Sequence, residues 1–162
     1  MKYLLILLIT LFFPTVSFGE TKESMCLSYV AITGNIKKAH EYQPCLDASD
    51  LGIGSAQYSV GMSYGYAGKN DLEERYYRLA ANNSNIAAYL SLGHVLRENS
   101  PWKAIYWYQR YAATKADGYG YAAILISNLF SELGDASQAE YWLEVCKLSP
   151  YKGCTNAYNK KL

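Results

Sequence analysis

The chain has 162 residues, with 15 Lys and Arg against 14 Asp and Glu, for a formal net charge of +1. It carries no basic block and no Lys/Arg stripe, so nucleic acid is not an expected partner. Tyrosine outnumbers phenylalanine 17 to 4. A ring that packs on one edge while its hydroxyl stays wet suits a thin structure with much half-buried surface.

Taken in order, the chain opens with Lys2, an apolar run from Tyr3 to Phe13, and then Ser17-Phe18-Gly19. A charged start, a short apolar core and small residues at the −1 and −3 positions predict a secretory signal peptide over residues 1–19. The run is shorter than the roughly 20 residues a membrane-spanning helix needs. Cleavage after Gly19 would leave a single domain, residues 20–162. That segment has no expected membrane span, and with Lys2 gone it holds 14 basic and 14 acidic residues.

The remainder reads as helices throughout, with no alternating strand pattern. Met25 to Ile32 predicts a helix broken by Thr33-Gly34-Asn35. Ile36 to Tyr42 predicts a short second helix stopped by Pro44, because proline cannot continue the hydrogen-bond ladder. Leu46 to Gly54 reads as a connecting loop. Gly54 to Tyr66 and Leu72 to Ala81 form the next pair, with Asp71 as N-cap. Asn85 to Glu98 and Pro101 to Thr114 follow, with Ser100 as N-cap and Pro101 in the first helical turn. Tyr121 to Leu133 and Ser137 to Leu148 complete the set. Ser149-Pro150 repeats the cap-and-proline start and predicts a capping tail over residues 149–162.

One pattern is written twice across the middle. Ala56 to Gly61 reads A-Q-Y-S-V-G, and Arg75 to Ala81 reads R-Y-Y-R-L-A-A. Ala88 to Gly93 reads A-Y-L-S-L-G, and Trp107 to Ala113 reads W-Y-Q-R-Y-A-A, each 32 residues later. Ala122, Ile126, Ser127 and Phe130 continue the series, as do Ala139 and Trp142. A period in this range signals stacked helix pairs. The expected fold is all-α: a right-handed α-solenoid of about four antiparallel pairs, over residues 23–44, 54–81, 85–114 and 121–148. Gly61 and Gly93 sit inside helices, where glycine costs about 1 kcal/mol relative to alanine. A cost repeated at one register implies that the partner helix crosses closely there.

The four cysteines form an even set. In an exported chain that predicts two disulfides, with three connectivities open. Cys26–Cys45 and Cys146–Cys154 are the favoured pairs, since each closes a short loop at one end of the repeat array. The spacings contain no C-x-x-C, and His40 and His94 stand apart from the cysteines. No metal site and no cofactor are therefore expected. Two S-x-x-K segments occur, Ser100 to Lys103 and Ser149 to Lys152, the spacing used by serine enzymes that act on β-lactams. Each serine precedes a proline, as an N-cap does, and neither S-D-N nor K-T-G is present. The expectation is of no catalytic residues.

A-Q-Y-S-V-G-M-S-Y (Ala56 to Tyr64) and A-I-Y-W-Y-Q-R-Y-A (Ala104 to Ala112) resemble the two helices of Sel-one-like repeats, a branch of the tetratricopeptide-like superfamily. C-K-L-S-P-Y-K-G-C, from Cys146 to Cys154, resembles the disulfide spacing of secreted cysteine-rich bacterial members. The copies here are shorter than is usual, and Leu72 and Arg75 replace the alanine and tryptophan of the second helix. The resemblance implies an adaptor, scaffold or immunity-type inhibitor of the bacterial envelope, working by protein binding. It also carries an alternative, penicillin binding or β-lactam hydrolysis.

Register supplies the candidate binding residues. Opposite the Ala56–Val60–Tyr64 face, the first helix of the pair presents Tyr58, Met62 and Tyr66. The later copies hold Leu90, His94 and Glu98, then Ile124, Asn128 and Glu132. Stacking would align them into rows, with Tyr58–Leu90–Ile124 in one and Met62–His94–Asn128 in the next. The first helices of such repeats line the concave side, where ligands bind. The expected partner is another protein.

Overall fold

A computed structural model describes residues 21–154, which are helical and contain no strand among the described residues. The expected signal peptide and the last part of the capping tail lie outside them. The elements are α1 (Lys22–Thr33), a 3-10 helix (Asn35–Glu41), α2 (Gln43–Asp50), α3 (Gly54–Tyr66), α4 (Asn70–Asn82), α5 (Ile86–Leu96), α6 (Pro101–Ala113), α7 (Tyr119–Glu132) and α8 (Ala136–Lys147). From α3 onward the extensive packing is between consecutive helices, the signature of a repeat array whose units touch their neighbours.

The first repeat departs from the expected pattern. Pro44 does not stop a helix but sits in the first turn of α2, where its missing N–H needs no partner. The segment read as a loop therefore holds a helix, and Cys45 and Ala48 within it are fully buried. The partner of α1 is thus a tight 3-10 turn followed by α2. Other boundaries shift less. Helix α4 starts at Asn70 with Lys69 at the cap position, so Asp71 lies in the first turn instead of capping it. Ser100 occupies the N-cap of α6 with Pro101 behind it, but its side chain makes no capping hydrogen bond. Pro150 does not begin a helix, and the backbone turns helical again only at Gly153. Gly118 adopts a left-handed φ of 94° ahead of α7, a geometry glycine meets without steric cost.

Three apolar clusters run along the array. Alanine supplies the closest contacts: Ala56, Ala88 and Ala122 are inaccessible in successive first helices, as are Ala80, Ala104 and Ala112 or nearly so in the second ones. Leu92, Ile126, Leu129 and Tyr108 fill the main core. Cys26 and Cys45 lie in the N-terminal cluster with Val60, and Cys146 and Cys154 lie in the C-terminal cluster with Ala123. Both expected pairs are bonded, with Cα atoms 4.6 Å apart in Cys26–Cys45 and 5.5 Å apart in Cys146–Cys154.

The repeated glycines have the steric cause their register implies. A Cβ on Gly93 would lie 2.1 Å from Tyr108 Cε1, and one on Gly61 would lie 2.8 Å from Tyr77 Cδ1. In each case a tyrosine ring of the second helix rests on bare backbone of the first. The corresponding positions of the last repeat hold Ser127, whose hydroxyl donates to the Ala139 carbonyl at 2.6 Å, and Leu143.

Neighbouring repeats are also joined by polar links. Gln57, 3% exposed, donates from Nε2 to the Ser49 carbonyl at 2.9 Å and accepts from Asn83 Nδ2 at 2.9 Å. Asn85 caps α5 by accepting from Ala88 N–H and also reaches the Gly54 carbonyl at 3.3 Å. The Asn83 and Asn85 links tie the loop between α4 and α5 to the start of α3, and the Ser49 link ties α3 to α2.

We expect Gly93→Ala to lower the thermal midpoint. Overpacking costs about 1–3 kcal/mol, while helix propensity returns only about 1 kcal/mol. Tyr108→Leu, the residue type of the last repeat, should restore part of the loss in the double variant. Thermal melts of the two single variants and the double variant measure the coupling.

Candidate functional site

The candidate residues of the first helices fall into two settings. Tyr58, Met62 and Leu90 are half-buried and rest one side against the main core, while Tyr66 is 57% exposed at the end of α3. Tyr58 Oη lies 3.3 Å from Ser91 Oγ, so the row residue of α3 reaches α5 beside Leu90. The Tyr58 ring also packs on Tyr77, centroid to centroid 5.4 Å. Ile124 turns to the C-terminal cluster, against Ala123 and the Cys146–Cys154 disulfide. Asn128 is exposed on α7. Glu98 is displaced from the row, because α5 ends at Leu96 and Glu98 stands in the turn that follows. Its counterpart Glu132 closes α7 and pairs with Arg97 at 2.9 Å.

His94 is the polar centre of the second copy. Its Nδ1 lies 3.0 Å from Tyr108 Oη, the buried ring that rests on Gly93. Burial pushes the Tyr108 phenol up to about 12, with Tyr121 adding to the rise and Arg97 opposing it. The phenol therefore stays neutral and shares a hydrogen bond with the imidazole. Burial, and then the Arg97 charge, hold the His94 pKa below its ordinary value. Tyr121 approaches the imidazole from α7, ring centroids 6.2 Å apart, and Tyr151 packs on Tyr121 at 5.8 Å. Tyr121 is thus the α7 residue that adjoins His94, about two turns before Asn128, the position that register selected.

At the other end of the row lies an open hollow of about 310 Å³, lined by Met62, Gly65, Tyr66, Glu73 and Tyr77. Glu73 reaches across from α4 to the bare backbone of Gly65, where a Cβ would meet Oε1 at 2.4 Å. Tyr77, one turn further along α4, lines the same hollow. Burial raises the Glu73 pKa above the ordinary glutamate value, and hydrogen bonding from Tyr77 opposes that rise. Burial and the Glu73 charge in turn push the Tyr77 phenol strongly upward. Glu73 and Tyr77 escape a reading confined to the first helices. The signal that would have found them is Gly65, a helical glycine one turn beyond Gly61 that implies a second close approach from α4.

The serines of the two S-x-x-K segments are engaged locally or capless. Ser149 Oγ donates to the Cys146 carbonyl at 2.6 Å and accepts from Tyr151 N–H at 3.2 Å. A third serine, Ser63, lies 2.5 Å from His40 Nδ1 and is fully buried. Its one proton goes to the Lys37 carbonyl at 2.8 Å, so His40 is the donor toward it. That is the reverse of a serine activated by a base, and the trio clamps the 3-10 turn onto α3. No three His, Cys, Asp or Glu side chains among the described residues are grouped to hold a metal ion. No helix among them is long and apolar enough to cross a membrane.

No protein-family model matches the chain, and no curated protein matches it. The class it defines on its own coordinates is an all-α array of helical repeats closed at each end by a disulfide.

His94 makes stability depend on pH in a definite direction. Its pKa is lower in the folded chain than in the unfolded one, so the unfolded state binds more protons as the pH falls. The contribution is complete above the unfolded value of about 6.5 and is lost as pH falls below it. Melting curves at pH 7.5 and 5.5 should show a drop for the native chain that His94→Gln reduces. Carboxylates such as Asp47, whose pKa is depressed by hydrogen bonds from Lys22 and Gln43, titrate in a lower window.

Proposed function

We propose that this chain is an exported, non-enzymatic protein-binding module, a right-handed α-solenoid of the Sel-one-like kind working in the bacterial envelope. The observation that carries the reading is the row on the first helices. Tyr58, Met62 and Leu90 present half-buried apolar and aromatic groups, His94 stands exposed on α5, and Tyr58 reaches α5 at Ser91. The row ends at the exposed ring of Tyr66. Such strips, anchored from below and open above, offer rigid aromatic area at low entropic cost to a partner. The two buried disulfides support an oxidising compartment. The partner is another protein, and an adaptor, a scaffold and an immunity-type inhibitor would each use the same face.

His94→Glu and Asn128→Glu place charge on exposed positions of the row. We expect each to weaken partner capture from envelope extracts by about 1–3 kcal/mol while the helical circular dichroism signal is retained. Unchanged capture by both variants would move the interface to the second helices or the loops. Intact-mass measurement of the exported protein with and without a thiol-blocking reagent should find no free thiol, and four free thiols would remove the compartment from the reading.

A further inference from the structure

The hollow between α3 and α4 has a composition that an apolar protein-binding strip does not need. Its floor is a carboxylate. Glu73 is half-buried against Gly65, beside Tyr77, and has no ion-pair partner among the described residues. Leaving a half-buried carboxylate without a cation costs folding stability. Its walls are the Tyr66 and Tyr77 rings and the Met62 thioether. The electron-rich face of a phenol attracts cations, and Tyr66 already draws one, with Lys37 Nζ 5.3 Å from its centroid. Lys69, one turn before Glu73, lies instead over Tyr64, with its Nζ 5.7 Å from that centroid. Carboxylate, rings and thioether converge on a volume of about 310 Å³ that is open to solvent.

We propose that this hollow is a binding pocket for an arginine side chain presented by the protein partner. The guanidinium is planar, so it can lie on the Tyr66 ring while its N–H groups donate to Glu73. Its weak hydration makes desolvation less costly than for an ammonium. The methylene stem then runs along Met62. Tyr77 lines the same hollow beside the carboxylate, and the acceptor sites of Glu73 are offered to the ligand. The source of the arginine rests on the protein-binding reading above, whereas the chemistry of the pocket does not.

The test uses the full exported chain and a small probe, N-acetyl-arginine-N-methylamide, with the citrulline analogue as an uncharged control of the same shape. Amide resonances of Gly65 and Tyr66 should shift saturably with the arginine probe at millimolar concentration. The citrulline probe should bind at least tenfold more weakly. Glu73→Gln removes a desolvated charge and keeps the side-chain shape, so its thermal midpoint should hold or rise while probe affinity falls at least tenfold. Gly65→Ala is the second variant. It suits a helix and displaces the flexible end of Glu73, so it should also lose the probe without unfolding. Equal binding of the two probes, or full binding by Glu73→Gln, overturns the pocket. Because the probe needs no partner, that result would leave the interaction face standing. Conversely, probe binding with partner capture unaffected by His94→Glu and Asn128→Glu would sink the face and keep the pocket.

Discussion

The structure depends on one repeated contact: a tyrosine ring of a second helix lying on a glycine of the first. At Gly93 and Tyr108 the ring occupies the volume a methyl group would need. This sets the distance between paired helices and explains why glycine persists in helix interiors despite its conformational cost. It also decides where the tyrosine hydroxyl lies. Tyr108 is fully buried, and its Oη meets His94 Nδ1 at 3.0 Å. At Gly61 the same packing places Tyr77 beneath Tyr58 and beside Glu73. The spacing between helices and the polar chemistry of the exposed strip are therefore consequences of one packing choice. The abundance of tyrosine over phenylalanine follows, because each ring must be apolar at its base and polar at its tip.

The ends of the array meet a different constraint. An inner repeat has neighbours on both sides, whereas a terminal one has a face toward water. Here the terminal clusters are small, and a disulfide supplies part of each: Cys26 and Cys45 at one end, Cys146 and Cys154 at the other. Between them, polar bridges through Gln57, Asn83 and Asn85 tie the loops of one repeat to the helices of the next. The buried amide of Gln57 is specific about geometry, because a slipped repeat would leave it unpaired.

The sequence made the central pairs legible because their alanines, glycines and aromatics recur at a fixed period, and α3 to α8 lie within a few residues of where that period puts them. The first repeat was less legible. Pro44 reads equally well as a stop or as a first-turn residue, and only the burial of Cys45 and Ala48 against α1 and α3 decides between them. Of the candidate residues, Tyr58, Met62 and Leu90 lie half-buried and His94 exposed on the first helices. Glu98 fell out because α5 ends early. Tyr121, Glu73 and Tyr77 lie in other turns or helices and reach the strip through side-chain length, which periodicity along one helix does not encode.

The placement of the disulfides has a consequence for how the chain is made. The bonded cysteines are separated by only 19 and 8 residues in sequence, and each pair belongs to a single end of the array. Contacts between consecutive helices are likewise local, and chains dominated by local contacts fold quickly. Cys26 can meet Cys45 as soon as α1 and α2 pack, long before Cys146 has been synthesised. The wrong partners are held far apart along the chain while the right ones are near. Correct oxidation is therefore favoured by the order in which the chain becomes available, and it requires little reshuffling once the fold is complete.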